Sequence, residues 1–169
     1  GFQGVEIYMD ALLSEMNQKV GPHSSTYLPA EMENQAIVSM GLAAARGAQD
    51  IAEDTNYCLA AHLLATCQAF DLTTLPGEVV RQHESKLVNA VIENPRADEL
   101  GHLKAAYDFV RTECGIPTVV TSTRMHTYLD PLVSRIERLD LLSYLFEHTI
   151  QPALADDAYE RYGRQPPAE

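Results

Sequence analysis

Between Pro29 and Pro76 no proline interrupts the chain, and only Gly41 and Gly47 break a run of apolar positions spaced three or four apart. Ile37, Met40, Ala44, Ala48, Ile51 and Ala52 set that spacing, and Leu59, Leu63 and Leu64 carry the stripe on to Phe70. A period of 3.6 predicts one long helix over about 32–71. At 1.5 Å per residue it would extend roughly 60 Å. A compact domain of this size is roughly 30 Å across. Such a helix cannot bury its stripe against its own chain alone, so partner helices are expected from other chains or from a segment outside this sequence. Its middle is rich in small residues, Ala43, Ala44, Ala45, Gly47 and Ala48. These let helices approach closely, and the helix propensity of alanine accounts for the same residues without a partner.

The remaining punctuation predicts shorter helices. Residues 5–19 form one with Ile7, Leu12 and Met16 inward, followed by a loop over 20–29 broken by Gly21-Pro22 and Ser24-Ser25. Pro76 opens a helix to about Glu93, ended by Asn94-Pro95. The next covers 100–114, with Gly115 as a left-handed cap and Pro117 beyond it. Residues 118–123, rich in Val and Thr, fit an extended segment. Asp130 as N-cap with Pro131 in the first turn predicts a helix to about Arg138, and Asp140 caps a last one ending near Pro152. The expected fold is all-α, an elongated helical bundle with one very long central helix packing against helices of other chains. Residues 1–155 make up the helical part, and 156–169, with Pro166-Pro167, a polar and loose tail.

Composition narrows the function. Of 169 residues, 12 are Lys or Arg and 24 are Asp or Glu, a formal charge of −12. A hydrophobic content of 46% is enough for one packed core. No basic patch is available to neutralise phosphates, so nucleic acid is not an expected partner. Anionic membrane surfaces are disfavoured for the same reason. The longest uncharged apolar run, 57–70, is too short to span a bilayer and contains His62 and Gln68. The chain opens Gly1-Phe2 with neither Met nor the basic and apolar regions of a signal peptide, as expected of a processed product, a tag remnant or a fragment. Cys58, Cys67 and Cys114 form no CxxC, which signals neither a disulfide framework nor zinc and suggests a reducing, cytoplasmic setting. Cys58 and His62 are four apart, but two ligands do not make a metal site. His23, His83, His102, His126 and His148 are scattered without HExxH, so no metal is expected. Tyr107 and Tyr144 fall on helical stripes as core aromatics.

The polar cluster at the head of the long helix is the one place where chemistry is concentrated. Glu31, Asn34 and Gln35 stand at i, i+3 and i+4 and would share one helix face. The helix dipole would stabilise the carboxylate, and the two amides offer donors and acceptors beside it. The same pattern also reads as a cap with a solvated first turn.

A family resemblance adds to this reading. Gly1-Phe2-Gln3-Gly4-Val5-Glu6-Ile7 with Met9 and Ser14-Glu15 resembles the GFxGxEIxM…SE stretch of phenylalanine ammonia-lyases. Pro29-Ala-Glu-Met-Glu-Asn-Gln-Ala-Ile-Val-Ser-Met40, running on to Arg46, resembles their AExxNQxxxSLxLxxAR segment, with AEMxNQA nearest the fungal forms. His62-Leu-Leu with Gln68-Ala-Phe-Asp71-Leu72 resembles HLxxxLQAxDLR. Tyr107-Asp-Phe-Val-Arg111 with Glu113 and Gly115 resembles YxFVRxExG, and residues 132–150 resemble the last helices. Nearly the whole chain is covered, in order, and it resembles the C-terminal portion of aromatic amino-acid ammonia-lyases, the phenylalanine and histidine enzymes.

The resemblance implies non-oxidative loss of ammonia from an aromatic amino acid such as phenylalanine, giving an arylacrylate. It implies that Glu31 sits beside the amine and ring as a catalytic residue, with Asn34 and Gln35 as polar and Gln3 and Ile7 as further substrate-binding positions. Gln35 stands where histidine ammonia-lyases have Glu, and a neutral amide suits an uncharged aryl ring. Gln3 replaces the Lys common in plant forms, and Ala36 replaces an Asp. Only residues 75–101 stand where plant and fungal forms carry a long insertion, as in the shorter bacterial forms. The family's electrophile, a methylidene-imidazolone (MIO), forms from Ala-Ser-Gly, and no Ala-Ser-Gly occurs here. The Tyr base and the carboxylate-binding Arg also belong to a part not present. Chemistry needs both an electrophile and a base. The expectation is therefore a C-terminal segment, or the small subunit of a split enzyme, inactive alone. The MIO would come from a partner chain or missing segment, within a homotetramer. Two alternatives stay open: an aminomutase of the same family, and a non-catalytic helical interaction protein derived from it.

Overall fold

The computed structural model of the chain describes residues 2–26, 29, 32, 34 and 39–154, as two compact units, Phe2–Ala61 and from His62 onward. The all-α expectation holds: no strand occurs among the described residues. The expectation for 156–169 lies outside them.

In the first unit, α1 (Phe2–Lys19) is followed by a 3-10 turn (His23–Thr26) and by the first part of α2 (Gly41–Thr74). Helix α1 buries Val5 and Leu12, two turns apart, and faces α2 with that stripe. Ile7, expected inward, is 64% exposed, because two residues beyond Val5 is about 200° around the helix. The two helices run antiparallel. Tyr8 meets Tyr57 edge to face with ring centroids 6.2 Å apart, Thr55 donates to Met16 Sδ, and Lys19 pairs with Asp54 at 2.8 Å. Gly47 completes the contact: a Cβ there would come within 3.2 Å of the His23 ring, so glycine lets the ring in.

The long helix starts later than expected. It begins at Gly41, not near residue 32, and its 34 residues span about 50 Å. Met32 has a left-handed φ of 52°, which a helix cannot continue through, and Asn34 stands in a turn. The Gly41 N–H donates to Ser39 Oγ at 3.3 Å and the Ala44 N–H to the Met40 carbonyl. Ser39 thus offers the backbone a local partner at the helix start. At the other end the helix continues to Thr74 and stops before Pro76.

In the second unit the end of α2 is joined by α3 (Gly77–Ser85), a 3-10 segment (Ala97–Leu103) and α4 (Lys104–Asp108), which runs into a π-type turn (Phe109–Glu113). Helices α5 (His126–Glu137) and α6 (Asp140–Leu145) follow, the latter continuing through a second π-type turn (Phe146–Ile150). The core is Leu64, Phe109, Val110 and Leu132, all fully buried, with Leu129, Val133 and Ile136. Each such side chain contributes about 1.5–3 kcal/mol on burial.

Several boundaries differ from the expected ones. Helix α3 ends at Ser85 rather than near Glu93. Leu87 takes φ 53°, its N–H donates to the Glu84 carbonyl and that of Val88 to the His83 carbonyl, the two bonds of a Schellman closure. No glycine announces it. Helix α5 starts at His126, so Pro131 lies inside it and Asp130 is not its cap. The stripe Leu129, Leu132, Val133 and Ile136 begins before the proline, and burying it outweighs the hydrogen bond that Pro131 cannot make. Asp140 opens α6 without capping it and pairs instead with Arg135 Nε at 2.8 Å. The helix expected over 100–114 is interrupted at Gly101, φ 54°, and Gly115 has the left-handed φ of 62° that its role as a cap requires. Residues 118–123 form no strand, only a single antiparallel bridge of Thr118 with Ala90.

Candidate functional site

The sequence-derived site falls in the first unit. Gln3 and Ile7 lie one turn apart on α1, and both are exposed. Asn34 is exposed and stands in a turn, so it is not on a helix face as expected. Glu31 and Gln35 lie outside the described residues. Of the three that are described, Gln3 and Ile7 share one face of α1.

The second unit holds a polar cluster that the sequence reading did not assemble. Asp71, on the last turn of α2, is fully buried. Its Oδ1 accepts from Tyr107 Oη at 2.6 Å and from Asn94 Nδ2 at 3.0 Å. Its Oδ2 accepts from Thr118 Oγ1 at 2.7 Å and lies 2.8 Å from Arg111 Nη2 as an ion pair. Arg111 Nη1 donates to the carbonyls of Ile116 and Pro117, and Asn94 Nδ2 also donates to Thr74 Oγ1. One turn before Asp71, Gln68 pairs at both ends with Val119, giving Nε2–H to its carbonyl and accepting its N–H. In the same way Asn89 Oδ1 accepts the N–H groups of Val120 and Thr121. These side chains take the place of a neighbouring strand for 118–121 and satisfy its backbone.

The cluster is a lock rather than a reactive centre. Both carboxylate oxygens of Asp71 are engaged, which leaves no free position to accept a substrate proton. Burial first, and then its hydrogen bond to Asp71, push the Tyr107 hydroxyl far above the ordinary tyrosine range, so it stays a donor. Removing one partner of a buried ion pair costs about 3–5 kcal/mol, because the other charge is stranded.

Two of the clefts among the described residues lie in this unit. One, of about 430 Å³, is lined by Asn94, Asp98, Tyr107, Asp108 and Arg111 among others. The other, of about 360 Å³, is lined by Gly101, Lys104, Tyr144 and His148. Tyr144 and His148 stack with centroids 3.9 Å apart. Lys104 borders both clefts, and its Nζ is held by Asp108 at 2.6 Å. Its ammonium is thus neutralised locally. Among the described residues no group of three His, Cys, Asp or Glu is placed to hold a metal ion. No single helix there is long and apolar enough to cross a membrane.

Two sequence motifs carry part of the signal for this cluster. Tyr107 and Arg111 are four apart and share a helix face, and Asp71 closes the segment that begins at His62. That the two segments meet, with Thr118 and Asn94 between them, is not written in either.

A profile described as aromatic amino acid lyase matches residues 1–97. A tyrosine ammonia-lyase of Cupriavidus metallidurans is 43% identical over 72 residues, covering 43% of this chain and 14% of the relative. A phenylalanine aminomutase of Taxus chinensis is 30% identical over 138 residues, covering 77% of this chain and 17% of the relative. The chain therefore spans less than a fifth of the length of these relatives. The crystal structure of a tyrosine aminomutase from Streptomyces globisporus superimposes with a TM-score of 0.69 at 29% identity, over 88% of this chain and 24% of that one.

Proposed function

Because this chain belongs to the aromatic amino acid lyase family, we propose that it is the C-terminal segment, or the small subunit, of an MIO-dependent aromatic amino-acid ammonia-lyase. The observation that carries the reading is the match of residues 1–97, which takes in Gln3, Ile7, Glu31, Asn34 and Gln35 together. The proposed reaction converts an L-arylalanine such as phenylalanine into an arylacrylate and ammonium.

The residues present do not form the electrophile, since no Ala-Ser-Gly occurs in the chain. No step through it is assigned to these residues. What this chain would contribute is part of a pocket wall. Ile7 would supply apolar surface against the ring, and Gln3, one turn away on α1, a polar edge. Glu31 would sit beside the substrate amine, attracting its positive charge, and Asn34 and Gln35 would orient it by hydrogen bonds. The exposure of Gln3 and Ile7 supports this, because a pocket shared with another segment needs side chains not already buried in this one. A homotetrameric assembly and a cytoplasmic setting belong to the same proposal, the latter fitting three free cysteines.

The test is native mass spectrometry of the protein as isolated, then denaturation to weigh each component. A companion chain carrying the mass loss of MIO formation, together with arylacrylate production, is the expected result. An 18.7 kDa chain that never associates with such a component and never turns over an arylalanine would overturn the reading in favour of a non-catalytic interaction protein. A second reading, an aminomutase that moves the amine to the β carbon, is favoured by the names of the Taxus relative and of the superimposed structure. Chromatography of the products separates it, since a β-amino acid appears only in that case.

A further inference from the structure

The outward face of α1 extends beyond the two residues assigned to the pocket wall. Val5 and Leu12 mark its buried side, against α2. Gln3, Ile7 and Asp10 centre roughly 180° away at 100° per residue, and all three are exposed. Asp10 follows Ile7 at i+3, a spacing that sets Cβ atoms about 5–6 Å apart. From Gln3 to Asp10 the face runs about 10 Å along the helix axis. It carries an amide at one end, an aliphatic side chain in the middle and a carboxylate at the other end. Among the described residues no hydrogen bond or ion pair joins Asp10 to another side chain. Lys19 is the one Lys or Arg of α1, and it pairs with Asp54 on the opposite side of the helix.

We propose that Asp10 is a specificity-determining residue, whose carboxylate accepts a hydrogen bond from a donor on the substrate's aromatic ring, a hydroxyl or an amino group at the edge away from the amino-acid carbons. The proposal rests on the reading of Gln3 and Ile7 as pocket wall. A carboxylate exposed to water needs no partner. One that is covered when a substrate seats on the wall must receive a hydrogen bond, or its desolvation goes uncompensated. The substrate amine is already assigned to Glu31, so the Asp10 end of the face is left to the ring. With the ring against Ile7, a substituent one turn further along α1 comes to the Asp10 oxygens. A ring that brings an O–H or N–H satisfies the carboxylate. An unsubstituted ring, or one whose oxygen is methylated, leaves it covered and unpaired, and is discriminated against for that reason. No proton is transferred in this contact, and no bond of the substrate is made or broken by it.

The experiment measures kcat/KM of the assembled enzyme on phenylalanine and on its 4-hydroxy, 4-amino and 4-methoxy derivatives. The unaltered enzyme should favour the 4-hydroxy and 4-amino substrates over the 4-methoxy one by about 10- to 100-fold, the worth of a hydrogen bond to a charged acceptor. Asp10→Leu should move the ratio of 4-hydroxy to unsubstituted substrate by the same factor toward the unsubstituted one. Asp10→Asn, which keeps an acceptor oxygen without the charge, should give a ratio between the two. Loss of the same proportion of activity on all four substrates would overturn the proposal, because a merely structural role, or a contact with the amine, does not sort substrates by their ring. An unaltered ratio in Asp10→Leu would overturn it as well. Ile7→Ala, measured beside it, separates the two failures. If Ile7→Ala changes kcat/KM while Asp10→Leu leaves the ratio as it was, only the role of Asp10 falls; if neither changes anything, the pocket-wall reading falls with it.

Discussion

Tyr107 Oη donates to Asp71 Oδ1 at 2.6 Å across 36 residues of chain, joining the last turn of α2 to α4. Asp71 also accepts from Asn94 and Thr118 and faces Arg111, so one carboxylate ties four separate segments together. The second unit is therefore fastened at a polar point beside its apolar core of Phe109, Val110 and Leu132.

Asp71→Ala should destabilise the second unit by about 3–5 kcal/mol, because Arg111 at 2% exposure is left charged and without its partner. Tyr107→Phe, which removes one hydrogen bond to the carboxylate, should cost about 2 kcal/mol. Urea unfolding followed by circular dichroism measures both, and equal losses would argue against the ion pair as the larger contribution.

Glu31→Ala, made in the assembled enzyme, should lower kcat/KM on arylalanines by about 100-fold if the carboxylate positions the substrate amine. Gln3→Lys should leave turnover of phenylalanine within a few-fold while shifting the preference among ring-substituted substrates. Steady-state kinetics on a series of para-substituted arylalanines tests both, and an unaltered Glu31→Ala enzyme would remove that residue from the site.

Burial raises the Cys67 thiol from 9.0 to about 11, with Asp71 adding to the rise and Arg111 opposing it. In the unfolded chain the thiol ionises near its ordinary value. The stability held by the neutral buried thiol is thus fully present below about pH 9 and is lost as pH rises from there through about 11. Denaturation midpoints should fall across that window, and Cys67→Ala should flatten the fall. A disulfide-exchange reagent at pH 8 should label half-buried Cys58 well before Cys67, with Cys67 released only on unfolding.

Leu87 is 76% exposed and holds a left-handed φ of 53°. Leu87→Gly should stabilise the protein by about 1 kcal/mol, since glycine takes this conformation without the Cβ clash. Gly115→Ala should do the opposite, by about the same amount, because its φ is 62° although the space around it is open. Thermal midpoints shifting the same way for both variants would contradict the backbone argument.

Much of the helical content was written in the sequence. The period of apolar residues announced α1 and most of α2, and Gly115 with Pro117 beyond it announced a cap, because an apolar period and a glycine with positive φ are local requirements visible in local residues. The family motifs likewise carried the candidate residues as a set, from Gln3 to Gln35. What stayed hidden were events decided by competition. Leu87 ends α3 with a residue that gives no warning, and Met32 turns where the pattern called for a helix. Pro131 sits inside α5 because Leu129 gains more by burial than the backbone loses. The Asp71 cluster needed the tertiary structure altogether. Its members lie as far apart as Asp71 and Thr118, and which carboxylate meets which guanidinium depends on how α2, α4 and the segment after Gly115 come to rest against each other. Sequence determined that the chain is helical and where most of its helices lie. Burial, which rewards whole-chain packing over local preference, decided where the helices stop and which polar groups are locked together.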